Sequence, residues 1–430
     1  MNSYNLVNAK VYINHKWQEV NIGIKGDKIV GIGKVLAPSK ETIDLKGHKI
    51  IPGLIDPHVH FDLDLGFIRS KDDFDYGSKA GVYGGITTIV DFLAPARNAA
   101  ELKEFYDLRC QEAKDCHINY HFHACIRNPN GDLEEFVKMM KSLGMNTLKL
   151  FTTYSDSDRR TYDNQIIELL KLSKKYKFLI LVHAENDELI KTSDTAKNIE
   201  ISEYRNAEVE TSEVLKLAQY VRQTKGYMYI VHTSCGNTVR LIKEQYKDIL
   251  HKHFWMESCP QYFLLNKNLL ANPNGNLLTF APPLRSEDEE MLLRENINTI
   301  STIGTDHCAF MKADKDMYPL LCKHPFGIGG IEYSFLLLHA LFGDKIIDKM
   351  SKNIAKLDSL EKIGEIKVGY LANLTIFKST KPWTLNKGHG KVDYSVYEGM
   401  RVKEVITHTM VNGKFNLRDE KYISQKGRKI

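Results

Sequence analysis

Two histidines one residue apart, His58 and His60, close the apolar stretch "IIPGLIDPHVHF". Side chains alternate along a strand, so an H-x-H pair at its end puts both imidazoles on one side, near enough to share a metal ion. The same spacing recurs at His121 and His123 in "NYHFHACI", so the pair alone decides nothing. Four more candidates stand at or beside the ends of short β-rich runs: Lys149 in "NTLKLF", His183 in "LILVHAEN", His232 in "YIVHTSC" and Asp306 in "GTDHCAF". Taken singly, His183 and His232 read as well as core histidines, Asp306 as a helix cap, and Lys149 as a lysine reaching out of a strand end. Taken together they make four imidazoles, a carboxylate and an amine.

Imidazole nitrogen and carboxylate oxygen suit a borderline metal such as zinc, and this set exceeds what a single four-coordinate ion uses. Two divalent ions are implied. Neighbouring dications need an anion between them, and no Asp or Glu closes the fourth run, where Lys149 stands flanked by Leu148 and Leu150. A buried, unpaired ammonium tends to lose its proton. The resulting amine can add carbon dioxide, and the carbamate on a carboxylated Lys149 would bridge both ions. His121 and His123 are left as core or supporting residues.

Such a set needs repeated β/α units to position it. Between residues 50 and 310, eight β-rich runs alternate with segments of helical period: "HKIIPGLIDPH", "GITTIVDF", "INYHFHACI", "NTLKLF", "FLILVHAE", "YMYIVHT", "HFWMESC" and "TIGTDHC". Eight is the number a (β/α)8 barrel requires, and active sites of such barrels lie where the strands end. Helical candidates lie between these runs, for example over Leu102 to Glu112, Leu133 to Leu143, Asn164 to Lys175, Ser212 to Thr224 and Glu287 to Asn298. Residues 1–49 and 365–430 instead carry short alternating strands with Gly/Asn/Asp turns, neither piece large enough to fold comfortably alone. The expected architecture is therefore α/β: a (β/α)8 TIM-like barrel over 50–364, with a flanking β-sandwich domain built from both chain ends. The basic tail "SQKGRKI" reads as a mobile end.

Composition narrows the classes. With 43% hydrophobic and 26% charged residues, the 430-residue chain has the make-up of a soluble enzyme. A formal charge of +5 without a Lys/Arg block gives no footprint for nucleic acid. Apolar stretches such as "FLLLHALF" fall short of the roughly 18 residues of a membrane span. The start lacks a signal-peptide core, so a cytoplasmic protein with no membrane partner is expected. Seven cysteines without a C-x-x-C point to buried thiols and not to a disulfide framework or zinc ribbon.

The chain resembles the amidohydrolase superfamily, and within it the dihydropyrimidinase/hydantoinase branch of cyclic amidases. The matching stretches run in order from about residue 50 to 333: "IIPGLIDPHVHF", "DDFDYGSKAGVYGGITTIVDF", "TLKLFTTY", "VHAEN", "VHTSC", "ESCPQYFLL", "APPLR", "GTDHCAF" and "GIGGIE". The flanking "EIKVGYLANLTIF" resembles the family's sandwich, with "YLAN" where relatives often carry "DAD". The resemblance implies that His58, His60 and Asp306 hold the more buried ion, that His183 and His232 hold the other, and that carboxylated Lys149 bridges them. Tyr154 matches the tyrosine that hydrogen-bonds the substrate carbonyl oxygen, and Asp306 would shuttle the proton to the leaving nitrogen. The segments "APPLR" and "HPFGIGG" match those that hold ring amides largely through backbone groups. Ala281 stands there where relatives often have Ser or Asn, and Phe326 where they often have Asn.

By the same analogy Leu65 and Phe67 form an apolar wall. Arg159 and Arg160 occupy the place of an apolar gate; they read either as a preference for a polar or acidic ring substituent or, equally, as two solvated arginines on a mobile loop. The implied reaction opens the ring amide C–N bond of a dihydropyrimidine or hydantoin to an N-carbamoyl amino acid. Allantoinase shares these ligands and stays open as an alternative. A dihydroorotase is disfavoured because Asp62 replaces the usual arginine. A catalytically silent binding protein is disfavoured because no ligand is missing. The small cyclic amide or imide substrate would be met by a homo-oligomer, commonly a tetramer in the family.

Overall fold

Eight parallel strands, each hydrogen-bonded to the next in chain order, make the central sheet of the computed structural model, which describes residues 1–430. They are β1 (Leu54–Val59), β2 (Ile86–Phe92), β3 (Asn119–Cys125), β4 (Thr147–Phe151), β5 (Leu179–His183), β6 (Met228–Ile230), β7 (Phe254–Ser258) and β8 (Thr302–Ile303). A helix follows each: α1 (Phe74–Tyr83), α2 (Ala99–Glu112), α3 (Leu133–Ser142), α4 (Asp163–Tyr176), α5 (Ala207–Thr224), α6 (Gly236–Gln245), α7 (Glu287–Glu295) and α8 (Ser334–Phe342). This is the expected (β/α)8 barrel. Its strands read as near-continuous apolar runs because they are covered on both faces, and every residue of β1 and β2 is buried.

The seam between β8 and β1 closes without a regular ladder. The His60 N–H donates to the His307 carbonyl at 2.8 Å, and the buried Asp56 carboxylate accepts from the Thr305 N–H (3.1 Å) and hydroxyl (2.5 Å). Both links lie beside site residues, so the closure that completes the barrel also sets the spacing of His58, His60 and Asp306.

Three helices lie outside the example spans named from the sequence, each with its own reason for a weak signal. Helix α1 contains Gly77 and Gly81, poor helix formers in isolation, but a Cβ on Gly77 would overlap the buried Phe61 ring. Asp73 caps it, accepting from the Tyr76 N–H at 2.9 Å. Helix α6 opens on Gly236, whose missing side chain lets it press against the backbone of α7. Helix α8, "SFLLLHALF", is buried at six successive residues from Ser334 to His339 and so carries no polar face to reveal its period.

The chain ends form two further sheets. One contains Lys28–Gly33, Asn21–Lys25, Asn2–Val7 and Ser39–Asp44; the other runs Lys421–Tyr422, Lys414–Arg418, Arg401–Val411, Leu374–Thr384, Lys49–Pro52, Lys10–Ile13 and Lys16–Glu19. Leu6, Ile22, Ile24 and Ile29 from the first pack against Val11, Ile50, Leu374, Ile376, Met410 and Phe415 from the second, all buried, as in a sandwich core. The run "HKIIPGLIDPH" is thus two strands: "KIIP" pairs antiparallel with Leu374–Thr384, and "LIDPHV" is β1. Gly53 joins them, where a Cβ would collide with Thr87 and with the backbone of Asn373.

The tail does not behave as a mobile end. Gly427 N–H donates to Cys116 O (2.9 Å), Tyr120 N–H to Arg428 O (3.1 Å) and Ile430 N–H to Tyr120 O (3.1 Å), so the segment runs beside β3. Main-chain pairing outweighs the basic, terminal character on which the expectation rested. All seven cysteines are free, and five are buried. No helix is long and apolar enough to cross a membrane.

Candidate metal centre and active site

The strand ends bring all six predicted donors to one mouth of the barrel. His58 lies near the end of β1 with His60 just beyond, Lys149 is within β4, His183 ends β5, and His232 and Asp306 follow β6 and β8. The His58 ring centroid is 5.1 Å from that of His60 and 5.2 Å from His232, and His232 is 4.6 Å from His183. Asp306 Oδ1 lies 3.2 Å from His58 Nε2 and 3.1 Å from His60 Nε2. Ligand atoms of His58, His60 and Asp306 fall within 4.8 Å of one another.

Several features suit these residues to divalent ions. His58 Nε2 is buried and lacks an aligned hydrogen-bond partner despite its closeness to Asp306. Its other nitrogen, Nδ1, is 2.7 Å from Glu257 Oε1, so with a proton held there Nε2 is the nitrogen that would offer its lone pair once an ion displaces its own proton. His183 is held the same way in mirror fashion: Nε2 lies 2.6 Å from Glu185 Oε2, which frees Nδ1. Burial pushes the His183 pKa down to about 4, and those of His60 and His232 also fall, so these rings are neutral lone-pair donors near pH 7. Burial also lowers His58, but the charges of Glu257 and Asp306 outweigh it and raise that pKa to about 9. Asp306 is carried the other way: burial would raise its pKa, but His58 and His60 hold it well below the usual range.

Lys149 is the least accommodated member. Its Nζ has no ion-pair partner and stands 5.1 Å from the Phe92 ring centroid and 5.3 Å from that of Phe151. Burial brings its pKa down to about 8, into a range where a free amine is accessible. His121 and His123 stay outside the donor group. His123 bonds Thr147 Oγ1 (2.6 Å) and the Pro57 carbonyl (2.8 Å), and His121 Nδ1 meets the Ile430 carbonyl at 2.7 Å.

The centre lies in a cavity of about 830 Å³ lined by His60, Lys149, Tyr154, His183, His232 and Asp306 among others. Leu65, Phe67, Ala281, Phe326 and Arg159 also line it, whereas Arg160 does not. Leu65 and Phe67 sit on a tight turn whose Leu65 N–H donates to Ile68 O at 2.9 Å, and Arg69 ties it to Asp62 (2.8 Å) and Asp64 (3.2 Å). Tyr154, His232 and Asp306 all have positive φ, at 66°, 39° and 55°. Side chains other than glycine rarely adopt that region, and it costs of order 1–3 kcal/mol per residue. The packed barrel rim supports it.

Four residues that the sequence reading passed over complete the surroundings. Glu257, in β7, accepts from the Tyr229 hydroxyl (2.6 Å) and the His232 N–H (3.0 Å) as well as facing His58. Glu185 is clasped by the guanidinium of Arg205, which also lies 4.8 Å from the centroid of the Tyr154 ring. Asp91, in β2, accepts from Arg109 at 2.8 Å and from the Phe61 N–H at 3.1 Å. Acidic residues inside apolar strand-end stretches, as in "IVDF", "VHAE" and "WMES", were the available signal.

The amidohydrolase family profile matches residues 50–415. The chain belongs to the amidohydrolase family. It is 31% identical to the D-hydantoinase of Geobacillus stearothermophilus over 95% of this chain and 92% of that one. It is 28% identical to the D-phenylhydantoinase of Escherichia coli O81 (strain ED1a), over 90% of this chain and 88% of that one. The crystal structure of dihydropyrimidinase from Brevibacillus agri NCHU1002 superposes with a TM-score of 0.93 at 27% identity, covering 99% of this chain and 98% of that one.

Proposed function

We propose that this chain is a binuclear-metal cyclic amidohydrolase that opens the ring amide C–N bond of a dihydropyrimidine or hydantoin, giving an N-carbamoyl amino acid. The observation that carries the reading is the meeting of four imidazoles, Asp306 and an unpaired Lys149 amine around one cavity mouth. The hydantoinase and dihydropyrimidinase relatives supply the class of ring. His58, His60 and Asp306 would hold one divalent ion, zinc by the chemistry of the donor set, and His183 and His232 the other. Lys149, carboxylated by carbon dioxide, would serve both. When bound, such ions supply Lewis acidity and a water acidic enough to attack an amide at neutral pH.

The chain's own groups do the rest. Asp306, kept ionised by the imidazoles beside it, accepts the proton of the attacking water and returns it to the ring nitrogen, which is a poor leaving group unless protonated. Tyr154 has its pKa raised above 10 by enclosure, so its hydroxyl keeps its proton and donates a hydrogen bond to the developing oxyanion. Ala281 and Phe326 line the cavity, and by the family resemblance their main-chain groups would take the N–H groups of the ring. Contacts made from main chain would tolerate the departures from Ser or Asn at these positions, while the fit of the ring's far side would change. Leu65 and Phe67 cover the ring's apolar edge. The cytoplasm and a homotetramer are the setting the family resemblance implies.

Allantoinase shares the same donors and is the second reading. Dihydroorotate fits less well, because the position that would grip its carboxylate is Asp62, whose charge is matched by Arg69 at 2.8 Å. The deciding experiment is turnover of dihydrouracil, hydantoin, phenylhydantoin, allantoin and dihydroorotate by protein loaded with zinc or manganese in bicarbonate, with metal content assayed alongside. Ring opening of dihydrouracil or a hydantoin supports the reading. Full metal loading with no turnover of either refutes it.

A further inference from the structure

Arg159 and Arg160 are neighbours in sequence but differ in surroundings. Arg160 is stitched to Asp187 (3.1 Å) and Glu188 (2.8 Å) and lies over the Tyr162 ring, outside the cavity. Arg159 lines the cavity, and its side chain has no hydrogen-bond or ion-pair partner in the chain. Four guanidiniums line this space: Arg69 is matched by Asp62 and Asp64, Arg109 by Asp91 and Glu112, and Arg205 by Glu185. Arg159 is the one left over.

The segment that carries it is anchored. On one side Asp158 is bound by Arg97 and Asn128; on the other Asp187 receives Ser155, Thr153 (3.0 Å) and Arg160. The Arg159 N–H donates to the Tyr154 carbonyl at 3.0 Å, which ties its position to the tyrosine assigned to the reacting carbonyl. Its positive charge reaches both Tyr154 and Cys125, lowering their pKa values against the upward push of burial. With the loop already clamped, binding costs only the freedom of the Arg159 side chain itself, and the planar fork of a guanidinium suits a carboxylate.

The space also exceeds what a bare ring requires. At about 830 Å³ it matches cavities that enclose drug-sized ligands. A five- or six-membered cyclic amide at the metal donors leaves room for a side chain reaching toward the Tyr154 loop. Cationic Lys191 and Lys323 and acidic Asp156 and Asp194 also line the space, but all four are exposed at its mouth.

We propose that Arg159 is a specificity-determining residue that receives a carboxylate on the ring side chain of the substrate, so that the preferred substrates are cyclic amides bearing an anionic alkyl substituent. This rests on the cyclic-amidase reading above and names the substrate class within it. The test compares kcat/KM for 5-(2-carboxyethyl)hydantoin with that for its neutral isostere 5-(2-carbamoylethyl)hydantoin, with unsubstituted hydantoin and dihydrouracil included, on the metal-loaded protein at low ionic strength. The carboxylate is expected to be favoured at least about tenfold, the scale of one charge-assisted contact. Arg159→Gln should bring the ratio to about one, and Arg159→Lys should keep part of it. A parent ratio near one, or a ratio unchanged in Arg159→Gln, overturns the proposal while hydantoin turnover leaves the reaction class standing. No turnover of any ring at full loading overturns both.

Discussion

His58 Nδ1 stands 2.7 Å from Glu257 Oε1 across 199 residues of sequence, both side chains fully buried. The carboxylate holds a proton on Nδ1, and so leaves Nε2 as the nitrogen that faces Asp306 and would meet an ion. Replacing Glu257 by Gln keeps the shape but removes the charge. Metal affinity, read by competition with a chromophoric chelator, should fall about 10- to 100-fold, the usual cost of losing a carboxylate behind a ligating histidine. Unchanged affinity would mean that Glu257 serves only Tyr229 and the His232 backbone.

Lys149 gives a second prediction, because its amine has no partner in the chain. In ¹³C-labelled bicarbonate the parent protein should show a carbamate resonance, and Lys149→Met should not. Metal content of that variant should drop from about two ions per chain to one or fewer. A carbamate signal that persists in Lys149→Met would place the modification on another amine.

Gly77 tests the packing behind the site. Adding a methyl there drives it into the Phe61 ring, which sits one residue past His60 and is itself fully buried. Overpacking of this kind costs on the order of 1–3 kcal/mol. Gly77→Ala should lower the urea midpoint accordingly, and an unchanged midpoint would show that Phe61 moves aside freely.

A fourth prediction concerns acid stability. His324 is buried with Nε2 at 2.6 Å from Thr279 Oγ1, Nδ1 at 2.5 Å from the Tyr318 carbonyl, and Asn198 Nδ2 at 3.1 Å. Burial holds its pKa at about 3, and the Lys315 ammonium, bonded to the same Thr279, pushes the same way. The unfolded chain takes up this proton near pH 6.5 and the native one does not. Stability from this group is therefore present above pH 6.5 and is lost as the pH falls toward 3. Between pH 7 and 5 the loss is about 2 kcal/mol. Urea unfolding at both values should show His324→Gln losing that much less than the parent, and equal losses would mean that the imidazole is protonated in the native state.

The barrel was legible because its strands are buried on both faces and appear as apolar runs, with donors at or beside their ends. Glu257 and Glu185 were not, since a carboxylate behind a histidine is a relation across the barrel and leaves no spacing in the chain. The two arginines after Tyr154 looked alike in sequence, and only the clamps at Asp158 and Asp187 separate them. The tail "SQKGRKI" misled for a similar reason: its partners on β3 are main-chain groups, to which composition is blind.

Gly53 alone lies between Pro52, the last residue of a sandwich strand, and Leu54, the first of β1. The chain has no slack there. A tilt of the terminal sheet relative to the barrel would be delivered along β1 to His58 and His60 with nothing between to absorb it. The terminal sheets thus act as a rigid mount for the first two proposed metal donors, and a substitution far from the cavity, in the sheet that holds "KIIP", would register as altered metal binding.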